Sequence, residues 1–196
     1  ENTSELASES GFTNEGGYGG KITYLTNIMG LWMINSVRNK HVPDMSYGDL
    51  CEQASHETIA SLVDCQDECF MAPEDMAEAV REYCKARGQE VPETIPAVAS
   101  VIYNSLAKCY AEKLEEIQKI TGVKYERLNI IGGGSNAKYL NELTAKYTGK
   151  TVLAGPTEAT ALGNLAVQMM YAGDFKDLVD ARTCIRNSFD IVVYEN

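Results

Sequence analysis

Leu128-Asn129-Ile130-Ile131-Gly132-Gly133-Gly134-Ser135-Asn136-Ala137-Lys138-Tyr139-Leu140-Asn141 reads as a buried strand, a three-glycine turn and the opening of a helix. Leu128, Ile130 and Ile131 supply the apolar, partly β-branched run of a short covered strand. The glycines permit backbone conformations closed to other residues and leave no Cβ between the main chain and a ligand. Ser135 or Asn136 can cap the helix, whose first amides point free N–H donors above the turn. This arrangement favours the phosphate or ribose portion of a nucleotide. It is equally the form of a tight strand–helix turn with no ligand.

A second unit of the same design follows. Tyr139, Leu140, Leu143 and Tyr147 mark the first helix, which closes at Gly149. Thr151-Val152-Leu153-Ala154 is a short strand, and Gly155-Pro156-Thr157-Glu158 turns into a helix rich in Ala, Gly, Leu and Met. Phe175 to about Cys184 suits one more short helix before an extended end, Phe189–Tyr194. Upstream lies the longest helical pattern, from Pro96 to Ile120. Its apolar positions Val98, Ile102, Leu106, Cys109, Tyr110, Leu114, Ile117 and Ile120 step mostly by three or four, and Thr121-Gly122 ends it. Helix, strand, glycine turn, helix, strand, Gly-Pro turn and helix make an α/β half-sheet. Both turns fall at carboxyl ends of strands, where such sheets bind ligands. Two strands alone do not complete a sheet, so others are expected from the first 20 residues or from chain outside this one.

The amino-terminal half carries fewer signals. Residues 1–19 read as an extended or hairpin segment ending in a turn at Thr13-Asn14-Glu15-Gly16-Gly17. From Lys21 to about Arg38, Tyr24, Leu25, Ile28, Met29, Leu31, Trp32, Ile34 and Val37 recur at helical spacing and predict one central helix. At about 100° per residue, Asn27 and Asn35 fall within a quarter-turn of each other on it, about two turns apart. Tyr47–Leu62 predicts a second helix capped by Asp44 or Ser46, and Val63–Ala72 a loop. Pro73-Glu74-Asp75 opens a third, with Met76, Ala79, Val80 and Tyr83 on its buried face and its end near Gly88.

Composition narrows the function. At 196 residues with 44% hydrophobic and 23% charged residues, the chain suits one sizeable core or two small ones. Its net charge of -11 and pI near 4.7 disfavour nucleic acid and anionic membrane surfaces as partners. A nucleotide site remains open to it, since backbone dipoles and Mg²⁺ can hold phosphate inside an acidic protein. No apolar run approaches the roughly 20 residues of a membrane span. Glu1–Ser10 is acidic and polar, unlike a signal peptide, and no initiating Met is present. The expectation is a fragment of a longer cytoplasmic protein. Cys51, His56, Cys65 and Cys69 raise the question of zinc but lack paired ligand spacing, so the six cysteines read as reduced, mostly buried thiols. P-loop, Gly-x-Gly-x-x-Gly, His-Glu-x-x-His and Gly-x-Ser-x-Gly patterns are absent. His41 and His56 read as surface residues. Glu158 either acts on Mg²⁺-bound water or complements its helix dipole.

These blocks carry a resemblance. Leu128–Asn141, then Thr151-Val152-Leu153-Ala154-Gly155-Pro156-Thr157-Glu158-Ala159-Thr160-Ala161-Leu162-Gly163-Asn164, resemble the carboxyl-terminal half of the FGGY family of carbohydrate kinases. Thr13–Gly17, Asn27-Ile28-Met29-Gly30-Leu31-Trp32 and Pro92-Glu93-Thr94 are similar to the branch acting on L-rhamnulose. The resemblance implies that residues 1–196 form the nucleotide-binding second lobe of a two-lobed, actin-like ATPase (ribonuclease H-like) fold, helix-rich around a small sheet. It further implies ATP and Mg²⁺ as cofactors and phosphoryl transfer to the 1-hydroxyl of a ketose held with the other lobe. Gly132, Gly133 and Gly134 would line the adenosine side, with Asn27 and Asn35 as further contacts. Asn35 stands where the family pattern has Gln, one methylene longer. The other lobe would supply the phosphate-binding hairpin, most of the sugar site and the catalytic aspartate, and a Gly-Thr turn is expected just before Glu1. Half a cleft would not catalyse the transfer. A kinase for another ketose or polyol, or a non-catalytic binding module on the same fold, are the alternatives.

Overall fold

The longest helical pattern becomes one continuous helix, and the other helices are arranged around it. A computed structural model describes residues 10–196; the first nine residues of the segment expected over residues 1–19, and the Gly-Thr turn before it, lie outside the described residues. The first helices are α1 (Trp32–His41), α2 (Tyr47–Ser55), α3 (Met76–Ala86) and α4 (Ile95–Thr121). Helix α4 starts where Thr94 Oγ1 accepts from the Ala97 amide at 3.1 Å, and ends on Gly122, whose φ of 69° admits the left-handed cap. Helices α5 (Lys138–Thr148), α6 (Ala159–Ala172) and α7 (Leu178–Ser188) follow. Met33 and Val37 of α1, Leu50 of α2, Val80 of α3, Val98, Ile102 and Leu106 of α4, and Leu140 of α5 form one buried cluster. Each such side chain contributes roughly 1.5–3 kcal/mol when fully removed from water, so these helices carry most of the folding free energy.

Among the described residues, five short strands make two sheets. Strands β1 (Thr13–Gly16) and β2 (Ile22–Leu25) pair antiparallel as a hairpin, joined by a 3-10 turn at Tyr18–Gly20. Phe12 stacks on Tyr24 beside it, with centroids 5.0 Å apart. Strands β3 (Arg127–Ile130) and β4 (Thr151–Ala154) run parallel, and β5 (Val192–Tyr194) adds antiparallel to β4. The third strand of that sheet thus comes from the apolar carboxyl end, not from the first 20 residues.

Several expectations need correction. Lys21–Arg38 is not one helix: Ile22–Leu25 is a strand, and Gly30, at φ 67°, starts the turn into α1. The turn placed at Thr13–Gly17 is strand β1, and the true turn lies four residues later. Helix α2 ends at Ser55 rather than Leu62, and α7 begins at Leu178 rather than Phe175. Strand β3 is only half covered, and Ile131 is 58% exposed. His41 is not a free surface residue, because its Nε2 lies 2.9 Å from Asp75 Oδ1.

Candidate functional site

The glycine turn forms as a 3-10 segment, Gly132–Asn136, between β3 and α5. Ser135 does not cap α5. Its Oγ instead donates back to the Gly132 carbonyl at 2.7 Å and tightens the turn. Ala137 occupies the cap position, where no side chain accepts from the first amides. Beneath the turn, fully buried Asn141 donates from Nδ2 to the Ser135 carbonyl at 2.9 Å.

The second turn is laced to the first. The Gly155 amide donates to the Ile130 carbonyl at 2.8 Å, and the Gly132 amide to the Pro156 carbonyl at 3.2 Å. Thr157 Oγ1 donates to Asn136 Oδ1 at 3.2 Å and lies 3.3 Å from Ser135 Oγ. Parallel pairing of β3 with β4 places both turns at one edge, as the repeated strand–turn–helix pattern predicts.

At this edge lies a cleft of about 520 Å³, within the range of small-molecule sites. Leu31, Ile34 and Asn35 come to it from the start of α1, Tyr47 and Gly48 from the start of α2, and Tyr103 from mid-α4. The glycine turn contributes Gly133, Gly134 and Asn136. No charged side chain lines it, and its polar side chains are the carboxamides of Asn35 and Asn136 and the hydroxyls of Tyr47 and Tyr103. Tyr103 is 2% exposed, and burial, with neighbouring Cys51, pushes its hydroxyl well above the usual phenol range. It stays neutral at every physiological pH.

Side-chain capping differs among the helices, and α2 opens at the cleft with a cap. Ser46, Asp75, Thr94 and Asp177 cap α2, α3, α4 and α7 with side-chain oxygens. Helices α1, α5 and α6, which open at the cleft or at the second turn, have no side-chain cap. Apart from the Met33 amide, which donates to the Gly30 carbonyl at 3.3 Å, their first amides are the donors left for something outside the helix.

Of the five predicted site residues, Gly133, Gly134 and Asn35 line this cleft together. Gly132 stands behind them, with φ 73° and its amide spent on Pro156. Asn27 does not sit on α1. It is exposed in the loop before that helix, its carbonyl accepts from Gln66 Nε2 at 3.0 Å, and it is not among the lining residues. Asn136, Tyr47 and Tyr103 also line the cleft and are not among the expected residues. The polar residue Asn141, on the buried side of α5, was the available signal for the tightened turn.

Glu158 is exposed at the start of α6. Among the described residues, no group of three or more His, Cys, Asp or Glu side chains gathers to hold a metal ion. Cys51, Cys65, Cys84 and Cys109 are buried, Cys69 and Cys184 exposed, and all are free. Burial pushes the Cys65 thiol up to about 12, far from a reactive thiolate. Among the described residues no helix is long and apolar enough to cross a membrane.

Comparison with known proteins gives a consistent picture. The chain is 42% identical over 183 residues to a rhamnulokinase of Oceanobacillus iheyensis, covering 93% of this chain and 39% of that protein. Rhamnulokinases of Bacillus subtilis and Enterococcus faecalis are each 41% identical, over 97% and 96% of the chain. The chain spans about 39% of the length of these curated relatives and matches their carboxyl-terminal part. Residues 3–172 match the C-terminal domain of the FGGY family of carbohydrate kinases. The laced turns, the helix-rich core and this match together place the chain in the FGGY family of carbohydrate kinases.

Proposed function

We propose that this chain is the nucleotide-holding lobe of an ATP-dependent kinase that phosphorylates L-rhamnulose at its 1-hydroxyl. The observation that carries this reading is the charge-free cleft at the glycine turn, flanked by the uncapped starts of α1 and α5. A neutral, partly aromatic cleft suits a nucleobase and ribose, while the free helix amides suit the acceptor atoms of the ligand. Likeness to the rhamnulokinases supports the choice of sugar.

In this reading Gly133 and Gly134 offer main chain without side chains to the adenosine, and Asn35 offers a carboxamide. The residues of the cleft do not fit a Mg²⁺ site, because none is a carboxylate. No residue of this chain is therefore assigned to the metal. Phosphoryl transfer depends on positioning and charge stabilisation. The aspartate base and the sugar contacts belong, in this reading, to the region that precedes the matched part in the relatives. Closure of that region over the cleft excludes water and limits idle ATP hydrolysis.

Gly133 gives a clean test. Its φ is not in the left-handed range, and an added Cβ would meet nothing within 4 Å. Gly133→Val therefore adds bulk to the cleft without straining the turn. In the full-length protein it should raise the KM for ATP by about tenfold or more with the ketose KM unchanged, read by steady-state kinetics. An unchanged ATP KM would overturn the assignment. A panel of ketoses and polyols tests the sugar.

A further inference from the structure

Tyr47 begins α2, and 47% of its surface is exposed although it lines the cleft. The ring has a cation on one face. The guanidinium of Arg38 lies 4.7 Å from its centroid. Arg38 is itself fixed: its Nε donates to the Met45 carbonyl at 2.7 Å, and its Nη1 to Asn39 Oδ1 at 3.1 Å. Just before the ring, Ser46 Oγ accepts from the Asp49 amide at 3.0 Å and sets the first turn of α2.

Tyr47 lines the cleft and Arg38 does not, and the guanidinium takes up one face of the Tyr47 ring. The opposite side is left to whatever enters. Elsewhere the cleft is lined by the bare main chain of Gly133 and Gly134 and by Leu31 and Ile34. Nothing there provides a second exposed aromatic face, because Tyr103 is 2% exposed. A planar, neutral heteroaromatic ligand therefore meets its best contact on Tyr47. A cation behind the ring draws on its π-density and favours stacking with an electron-rich purine.

We propose that Tyr47 is the platform on which the nucleobase stacks, with Arg38 holding the ring from behind. The proposal rests on the nucleotide reading above and adds to it the residue that selects a flat base. Stacking reads the π-face and not the hydrogen-bonding edge, so the preference follows ring size, purine over pyrimidine.

The test uses the full-length protein, with ATP and UTP as alternative phosphoryl donors. Tyr47→Ala should raise the KM for ATP by about tenfold or more. The KM for UTP should rise less, and kcat and the ketose KM should stay unchanged. Tyr47→Phe, which keeps the π-face, should remain within about twofold of the parent. Should Tyr47→Ala fail to fold, Tyr47→Leu keeps volume at the start of α2 without the π-face and carries the same expectation. If Tyr47→Ala leaves the ATP KM unchanged while Gly133→Val raises it, the stacking proposal falls and the nucleotide reading stands. If neither variant changes it, both fall. A Tyr47→Phe variant as impaired as Tyr47→Ala would replace stacking by a hydroxyl contact and overturn the proposal. Equal losses for ATP and UTP would overturn it as well.

Discussion

Asn141 has no exposed surface, yet only one end of its amide is matched: Nδ2 donates to the Ser135 carbonyl, and Oδ1 has no partner. Such a residue is kept for the bond it makes, since a buried unpaired acceptor is itself destabilising. Asn141→Asp sets a carboxylate against that carbonyl. It should destabilise the protein by about 2 kcal/mol or more, measured by urea denaturation. Asn35 is the opposite case, exposed on α1 and lining the cleft. If it contacts the nucleotide through a gap, Asn35→Gln extends its amide by one methylene and should lower the ATP KM several-fold, read by steady-state kinetics. At this scale the sequence was a partial guide. Gly133, Gly134 and Asn35 were visible because glycines and an amide in an apolar stretch invite attention. Tyr47 and Tyr103 were not, because a Tyr in a helix reads as core until its neighbours in space are known.

The elements after Thr94 were the most legible, because each carries its own punctuation. Thr94 and Gly122 bound α4, Gly149 ends α5, and Gly155-Pro156 separates β4 from α6. Gly155 shows how strict such punctuation can be. Its φ is 122°, and an added Cβ would lie 2.9 Å from the Asp190 carbonyl and 3.3 Å from Ile191 Cδ1. Gly155→Ala strains the main chain and collides with the segment leading into β5. It should lower stability by about 2 kcal/mol or more, in contrast to Gly133→Ala, which should be nearly neutral in the same denaturation measurement. Lys21–Arg38 failed for a physical reason. Tyr24, Leu25, Ile28 and Met29 continue the helical spacing of α1, and periodicity alone does not distinguish a short apolar strand and loop from a helix. Gly19, Gly20 and Gly30, all at positive φ, were the breaks that mattered.

At the level of the molecule, α1 to α5 bury one continuous core, whereas α6 buries only Ala166 and leaves Leu165 and Tyr171 exposed. The sequence foretold a helical core and two turns at one end of a parallel strand pair, but not which strand completes the sheet, since β5 pairs across about 40 residues of intervening chain. Long-range ties of this kind leave no local signature. Asp75 makes another: it caps α3 and also joins that helix to the end of α1, with His41 Nε2 at 2.9 Å and Lys40 Nζ at 3.3 Å. Partial burial alone would raise the Asp75 carboxyl. Hydrogen bonds from His41, the Glu78 amide and Lys40 outweigh it and lower the group from 3.8 to about 2. A carboxylate depressed in the folded state stabilises fully above its unfolded value, and that contribution fades as pH falls through the folded one. The junction of α1 and α3 should therefore weaken between about pH 4 and pH 2. Asp75→Asn should lower stability at neutral pH, and the gap between parent and variant should narrow across that acid window. Urea denaturation of both proteins from pH 7 to about pH 2 measures the gap directly. A gap that stays constant with pH would mean that Asp75 acts through shape and capping, not charge.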